Sequence, residues 1–177
     1  WQASLASGTS VSADGTLTVT VGLRDDAGNV GTQNTGTIIG DTVSPYVTTV
    51  NIYNNTEDTY SSVGQGSTLT ITATIEDTNK GIIDSTDVTA DLMSLGFGEL
   101  VSADSYAQAT GIATWQAALA NGTSVSADGT LTVTVGLRDD AGNVGTQNTG
   151  TIIGDTTAPA ITVNVYNQTE DTFDSVG

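Results

Sequence analysis

One stretch of this chain occurs twice, and that limits what the chain can fold into. Residues 115–159 read WQAALANGTSVSADGTLTVTVGLRDDAGNVGTQNTGTIIGDTTAP, and residues 1–45 repeat them except at Ser4, Ser7, Val43 and Ser44. Forty-one of 45 positions agree at an offset of 114 residues, which is the mark of a tandem repeat. Residues 55–64 return in altered form as residues 168–177, at an offset of 113. One residue was therefore gained or lost between Tyr46 and Asn51. The repeat predicts three parts: residues 1–41 as the last strands of one unit, 42–155 as one complete unit, and 156–177 as the start of the next. On this reading the chain is an excerpt from a longer array.

The net charge is −17, with only Arg24, Lys80 and Arg138 as basic residues. Neutralising phosphates needs clustered Lys and Arg, so nucleic acid is a poor partner, and anionic membrane surfaces fail for the same reason. No apolar run approaches the roughly 20 residues needed to span a bilayer. A strong acidic excess suits solubility, high salt or divalent cations. The chain has no His and no Cys, which removes disulfides, thiol chemistry and every triad that needs imidazole. It also carries no Gly-rich phosphate loop, so the expectation is a protein without catalytic activity.

Abundant Thr, Val and Gly point to strands and turns. Residues 68–75 alternate cleanly, with Leu69, Ile71, Ala73 and Ile75 on one face and four threonines on the other. Residues 130–137 do the same through Leu131, Val133, Val135 and Leu137. That period of two means one buried and one wet face. Further strands are expected at 47–53, 88–93, 95–102, 110–119 and 144–153, and at 161–166 in the next unit. Residues 54–66 read as a polar loop or short edge strand. Asp139-Asp140-Ala141-Gly142-Asn143 reads as a hairpin turn, with Gly142 supplying positive φ. About seven short strands in 114 residues predict an all-β, Ig-like antiparallel β-sandwich in tandem repeats. Trp115, Leu69, Ile71, Val133 and Val135 should be central to its core.

The Asp-Asp-Ala-Gly-Asn turn, a last strand, and then Gly154-Asp155-Thr156-Thr157-Ala158-Pro159 resemble the Ig-like (BIg-type) repeats of large bacterial and archaeal cell-surface proteins. The resemblance covers the whole unit in architecture but only about 25 residues in motifs, as a tandem array does. It implies an extracellular, cell-surface location and a structural role in an adhesin stalk, a surface layer or a filament. It also implies Ca2+ at domain ends in many members.

Topology gives that last implication candidates here. In an Ig-like sandwich the loop after the second strand and the final hairpin turn lie at the end where the chain enters. Asp41, Asp77, Asp84, Asp139, Asp140 and Asn143 are therefore expected to converge at one junction. Asp25, Asp26 and Asn29 would serve the preceding unit, and Asp155 the following one. Ca2+ takes six to eight oxygens, several from carboxylates, and would relieve their mutual repulsion. The competing reading is that these residues only form turns, as Asp and Asn do by bonding their own backbone. No dense D-x-D-x-D-G loop is present; Asp77-x-Asn79-x-Gly81 is a faint echo.

Other readings remain beside this one. Asn54, Asn121 and Asn167 head N-x-Ser/Thr sequons, which mark glycosylation sites in exported proteins. The T-x-T faces allow ice binding, though outward Thr is ordinary in a soluble strand and a twisted sandwich offers no long flat array. Tyr60, Phe97 and Tyr106 allow glycan binding, though isolated aromatics more often pack. Expected partners are neighbouring repeats of the same chain. In the filament or lattice reading they are also other copies, joined through strand complementation.

Overall fold

The computed structural model describes residues 14–79, 83–120, 125 and 128–166. The described residues are almost entirely strand and turn, the exception being a single 3-10 turn at Met93–Leu95. No helix among them is long and apolar enough to cross a membrane.

Two antiparallel strands, β1 (Gly15–Val21) and β2 (Asn34–Gly40), form a separate hairpin. The remaining nine strands build two sheets. One is four-stranded, in the order β3 (Tyr46–Asn54), β5 (Thr68–Glu76), β9 (Ile112–Ala118) and β8 (Ser105–Ala107). The other is five-stranded: β4 (Ser62–Val63), β11 (Asn148–Gly154), β10 (Gly129–Leu137), β6 (Val88–Asp91) and β7 (Val101–Ser102). Among the described residues the strands pair antiparallel except for the two-residue contact of β4 with β11, and a single parallel bridge joins Tyr46 to Thr146. Leaving out the two-residue β4 and β7 from these nine, the first, second, fifth and fourth strands form one sheet and the third, sixth and seventh the other, which is the strand order of an Ig-like sandwich. The count exceeds seven because β4 and β7 are two-residue edge strands.

The inward faces supply one core. Leu69, Ile71 and Ile75 from β5, Trp115 from β9, and Val133 and Val135 from β10 are fully enclosed. Trp115 keeps its polar edge satisfied by donating its indole N–H to the Val101 carbonyl at 2.9 Å, as a buried indole requires.

The odd residue in the repeat offset has a physical seat. The β3–β5 register slips between Val47 and Thr49, leaving Thr48 as a bulge. One extra residue in one strand of an antiparallel pair is what a bulge accommodates. Thr48 Oγ1 donates to the Thr74 carbonyl, and Asn148 Nδ2 donates to the Thr48 carbonyl, so the bulge is held from both sheets.

Three expected strands differ. Residues 95–102 do not form one: Gly96 and Leu100 take positive φ, of 84° and 53°, and only Val101–Ser102 pairs. The strand expected at 144–153 begins at Asn148, preceded by single bridges at Val144 and Thr146. Residues 161–166 alternate well but are not a strand, and Ile161 and Val163 are exposed. A strand needs a hydrogen-bonding neighbour as well as a pattern.

Candidate metal centre

Three segments distant in sequence meet at one end of the sandwich. Asp41 lies in the linker after β2, Asp77 directly follows β5, and Asp139 opens the turn between β10 and β11. Each places a carboxylate oxygen within 4.8 Å of the other two.

The turn explains how Asp139 is presented. Gly142 takes φ 95°, and its N–H donates to the Asp139 carbonyl. Asp139 Oδ1 accepts the Asn143 N–H at 2.8 Å, and Oδ2 accepts Asn143 Nδ2 at 2.9 Å. The same Nδ2 points at the Asp41 and Val43 carbonyls, 3.3 and 3.4 Å away. Asn143 thus ties the linker to the hairpin turn through its donor side. The linker is fastened again where Thr146 N–H donates to the Pro45 carbonyl and Val47 N–H to the Thr146 carbonyl.

The other two carboxylates are poorly satisfied. Asp41 is buried; its Oδ1 accepts the Val43 N–H at 3.0 Å, while Oδ2 has no partner within the protein. Both Asp77 oxygens are shut away from solvent without a hydrogen bond, although the rest of the residue is partly exposed. Burial, and then the charge of Asp41, push the Asp77 carboxyl up; the amides of Thr78 and Asn79 oppose this without bonds of ordinary geometry, and Asp139 adds to it. Asn79 Nδ2 and the Tyr106 hydroxyl are likewise buried and unpartnered. Tyr106 is raised by burial and by the charge of Asp77, which places it in the same field.

Converging carboxylates with little solvent and no ion-paired base among the described residues are costly unless protonated or bound to a cation. Oxygen ligands from three carboxylates, with linker carbonyls beside them, suit a hard cation of the Ca2+ type. The residues present therefore fit such an ion.

The remaining acidic candidates lie elsewhere. Asp140 is exposed and outside the cluster. Asp84 Oδ1 is taken by the Thr86 N–H and hydroxyl, both at 2.6 Å, which holds its carboxyl below the usual range. Asp87, which the sequence did not single out, is pushed up by burial; the Asp84 amide opposes this, and the charges of Asp84, Asp140 and Asp139 reinforce it. In the first hairpin Asp25 and Asn29 repeat the Asp139–Asn143 bonds at 2.8 Å, but Asp25, Asp26 and Asn29 are exposed. Asp155 repeats the Asp41 turn by accepting the Thr157 N–H at 2.9 Å, and is exposed too.

The sequon at Asn54 is corrected by its surroundings. Asn54 is 1% exposed, and its Nδ2 donates to the Ser62 carbonyl at 3.0 Å and faces Ser67 Oγ at 3.3 Å. That nitrogen is not available to carry a glycan in the folded state. Asn121, Asn167 and Gly81 lie outside the described residues. Of the aromatics, Tyr106 packs against the core, Tyr60 leans on Tyr53 with ring centroids 4.7 Å apart, and Phe97 is 37% exposed.

No protein-family model matches the chain, and no curated protein matches it.

Proposed function

We propose that this chain is a structural, non-catalytic segment of an extracellular cell-surface stalk, built of tandem Ig-like repeats and stiffened by Ca2+ at the repeat junction. The carrying observation is the placement of Asp41, a linker residue, beside Asp77 and Asp139 of the sandwich it leads into. A cation held by all three would join the linker to the body and fix the direction from which the preceding hairpin arrives. Asp77 and Asp41 would supply oxygens that have no other partner, and Asp139 would be held ready by Asn143. The ion's contribution there is charge neutralisation and rigidity. The repeat itself supports the mechanical reading, because a spacer gains reach by duplication.

Thermal unfolding with and without chelator tests this. Ca2+ should raise the melting temperature, by an amount that grows with free ion concentration as for any ligand of the folded state. An unchanged melting curve would sink the calcium reading.

A second reading is a self-assembling filament or surface layer, which a chain of near-identical tandem repeats also suits. Electron microscopy of native material separates the two, since lateral order means lattice or filament and loose threads mean stalk.

A further inference from the structure

One more polar group is buried beside the three carboxylates. Tyr106 belongs to β8, at the edge of the four-stranded sheet. Its backbone stands opposite Ala113, which stands opposite Ala73. Ala73 is buried, on the inward face of β5 with Ile71 and Ile75. Residues directly opposite one another share a face of the sheet, and so do residues two apart along a strand. Tyr106 is therefore on the inward face, and Asp77 continues that face just past the end of β5. Two alanines in one row leave room for a large ring, and Tyr106 packs against the core.

The Tyr106 hydroxyl is shut away from solvent and has no hydrogen-bond partner in the protein. Both Asp77 oxygens are in the same state, as is Oδ2 of Asp41, a residue only 6% exposed. A hydroxyl donates and accepts, whereas an ionised carboxylate only accepts, so these groups would pair if they touched. They do not touch, yet burial and then the charge of Asp77 raise the Tyr106 hydroxyl, which puts the two groups within electrostatic reach. A donor and acceptors that face each other across such a gap suit one bridging water.

We infer that, on the calcium reading, Tyr106 is a positioning residue for the cation: its hydroxyl holds a water bound to the ion that Asp41, Asp77 and Asp139 grip. Ca2+ takes six to eight oxygens, and water completes the shell that carboxylates and carbonyls begin. A water on the ion keeps a lone pair and two hydrogens free, so the phenol can donate to it or accept from it. Holding that water fixes one ligand position, as outer-shell partners do at metal sites. The same contact satisfies a hydroxyl that is otherwise costly to bury. It also adds β8 to the linker, the end of β5 and the hairpin turn as elements that the ion ties together.

Tyr106→Phe in the full chain removes the hydroxyl and keeps the ring. Calorimetric titration should show Ca2+ binding weakened roughly tenfold, the lower end for loss of an outer-shell partner. In chelator the same variant should melt at or above the wild-type temperature, because a buried hydroxyl without a partner has been removed. A packing role gives another pattern, in which the variant melts lower with and without the ion. Tyr60→Phe, at a residue 64% exposed, should change neither readout. The inference is overturned if Tyr106→Phe binds Ca2+ as tightly as the wild type, if it melts lower in chelator, or if Tyr60→Phe weakens binding equally. Absence of Ca2+ binding by the wild type would overturn the calcium reading and this inference with it. Wild-type binding that Tyr106→Phe leaves unchanged would overturn this inference alone.

Discussion

The hairpin of β1 and β2 and the hairpin of β10 and β11 have one sequence and one register, yet they live in different surroundings. Val133 and Val135 are wholly buried, whereas Val19 and Val21 are 59% and 49% exposed. Ile152 is buried and Ile38 is exposed. What is shared is local: the Asp–Asn bonds of the turn, the positive φ of Gly28 and Gly142, and the clasp of Asp14 on Thr42 and of Asp128 on Thr156. Turn chemistry and alternation are thus sufficient to specify the hairpin in both copies. Burial is a property of what the hairpin meets.

Paired substitutions sharpen that difference, because each pair alters the same residue in the same local sequence. Ile152→Ala should cost about 2–5 kcal/mol as a buried truncation. Ile38→Ala should stay within about 0.5 kcal/mol, the usual range for an exposed site. Denaturant melts would show it, and equal losses would break the comparison.

Gly150→Ala should be next in size. A Cβ there would lie 2.7 Å from the Val50 carbonyl oxygen and 2.9 Å from its Cγ1, where β11 crosses β3. Overpacking of that kind costs about 1–3 kcal/mol. A Cβ on Gly36 meets nothing within 4 Å. Gly36→Ala should therefore be neutral or slightly stabilising, since Gly weakens a strand interior.

The pH response should be smaller and of opposite sign in the two regions. Asp77 is raised in the folded state, so the folded protein binds more protons there than the unfolded chain. In chelator its contribution is greatest below the unfolded value of about 3.9 and is lost as pH rises through the raised folded value. Asp77→Asn should flatten that decline in melting temperature. Asp25 is lowered by its bonds to Asn29, so its contribution is present above the unfolded value and lost on acidification. It is exposed, and solvent screening keeps the effect small. A steeper pH dependence after Asp77→Asn would contradict the assignment.

How far the sequence was legible follows the same division. Residues 68–75 and 130–137 are strands as their alternation demands, and the Trp115 core follows from it. Residues 161–166 alternate equally well and are not a strand, because pattern names a face but does not supply a neighbour. Residues 95–102 misled because Leu100 adopts positive φ, which a bulky side chain rarely does. The junction of Asp41, Asp77 and Asp139 was legible through topology. The membership of Asp140 was not settled by proximity in sequence, since consecutive residues of a turn point different ways. Asp87 and Tyr106 left no signal, because the burial of one polar side chain depends on the path of a loop.

Asp25 and Asp139 have the same turn and the same Asn partner, but only Asp139 stands beside Asp41 and Asp77. Calorimetric titration of Ca2+ into dilute wild type, Asp139→Asn and Asp25→Asn is the most direct test. Ca2+ should bind the wild type, fail to bind Asp139→Asn, and still bind Asp25→Asn. No binding to the wild type, or equal behaviour of the two variants, would contradict it.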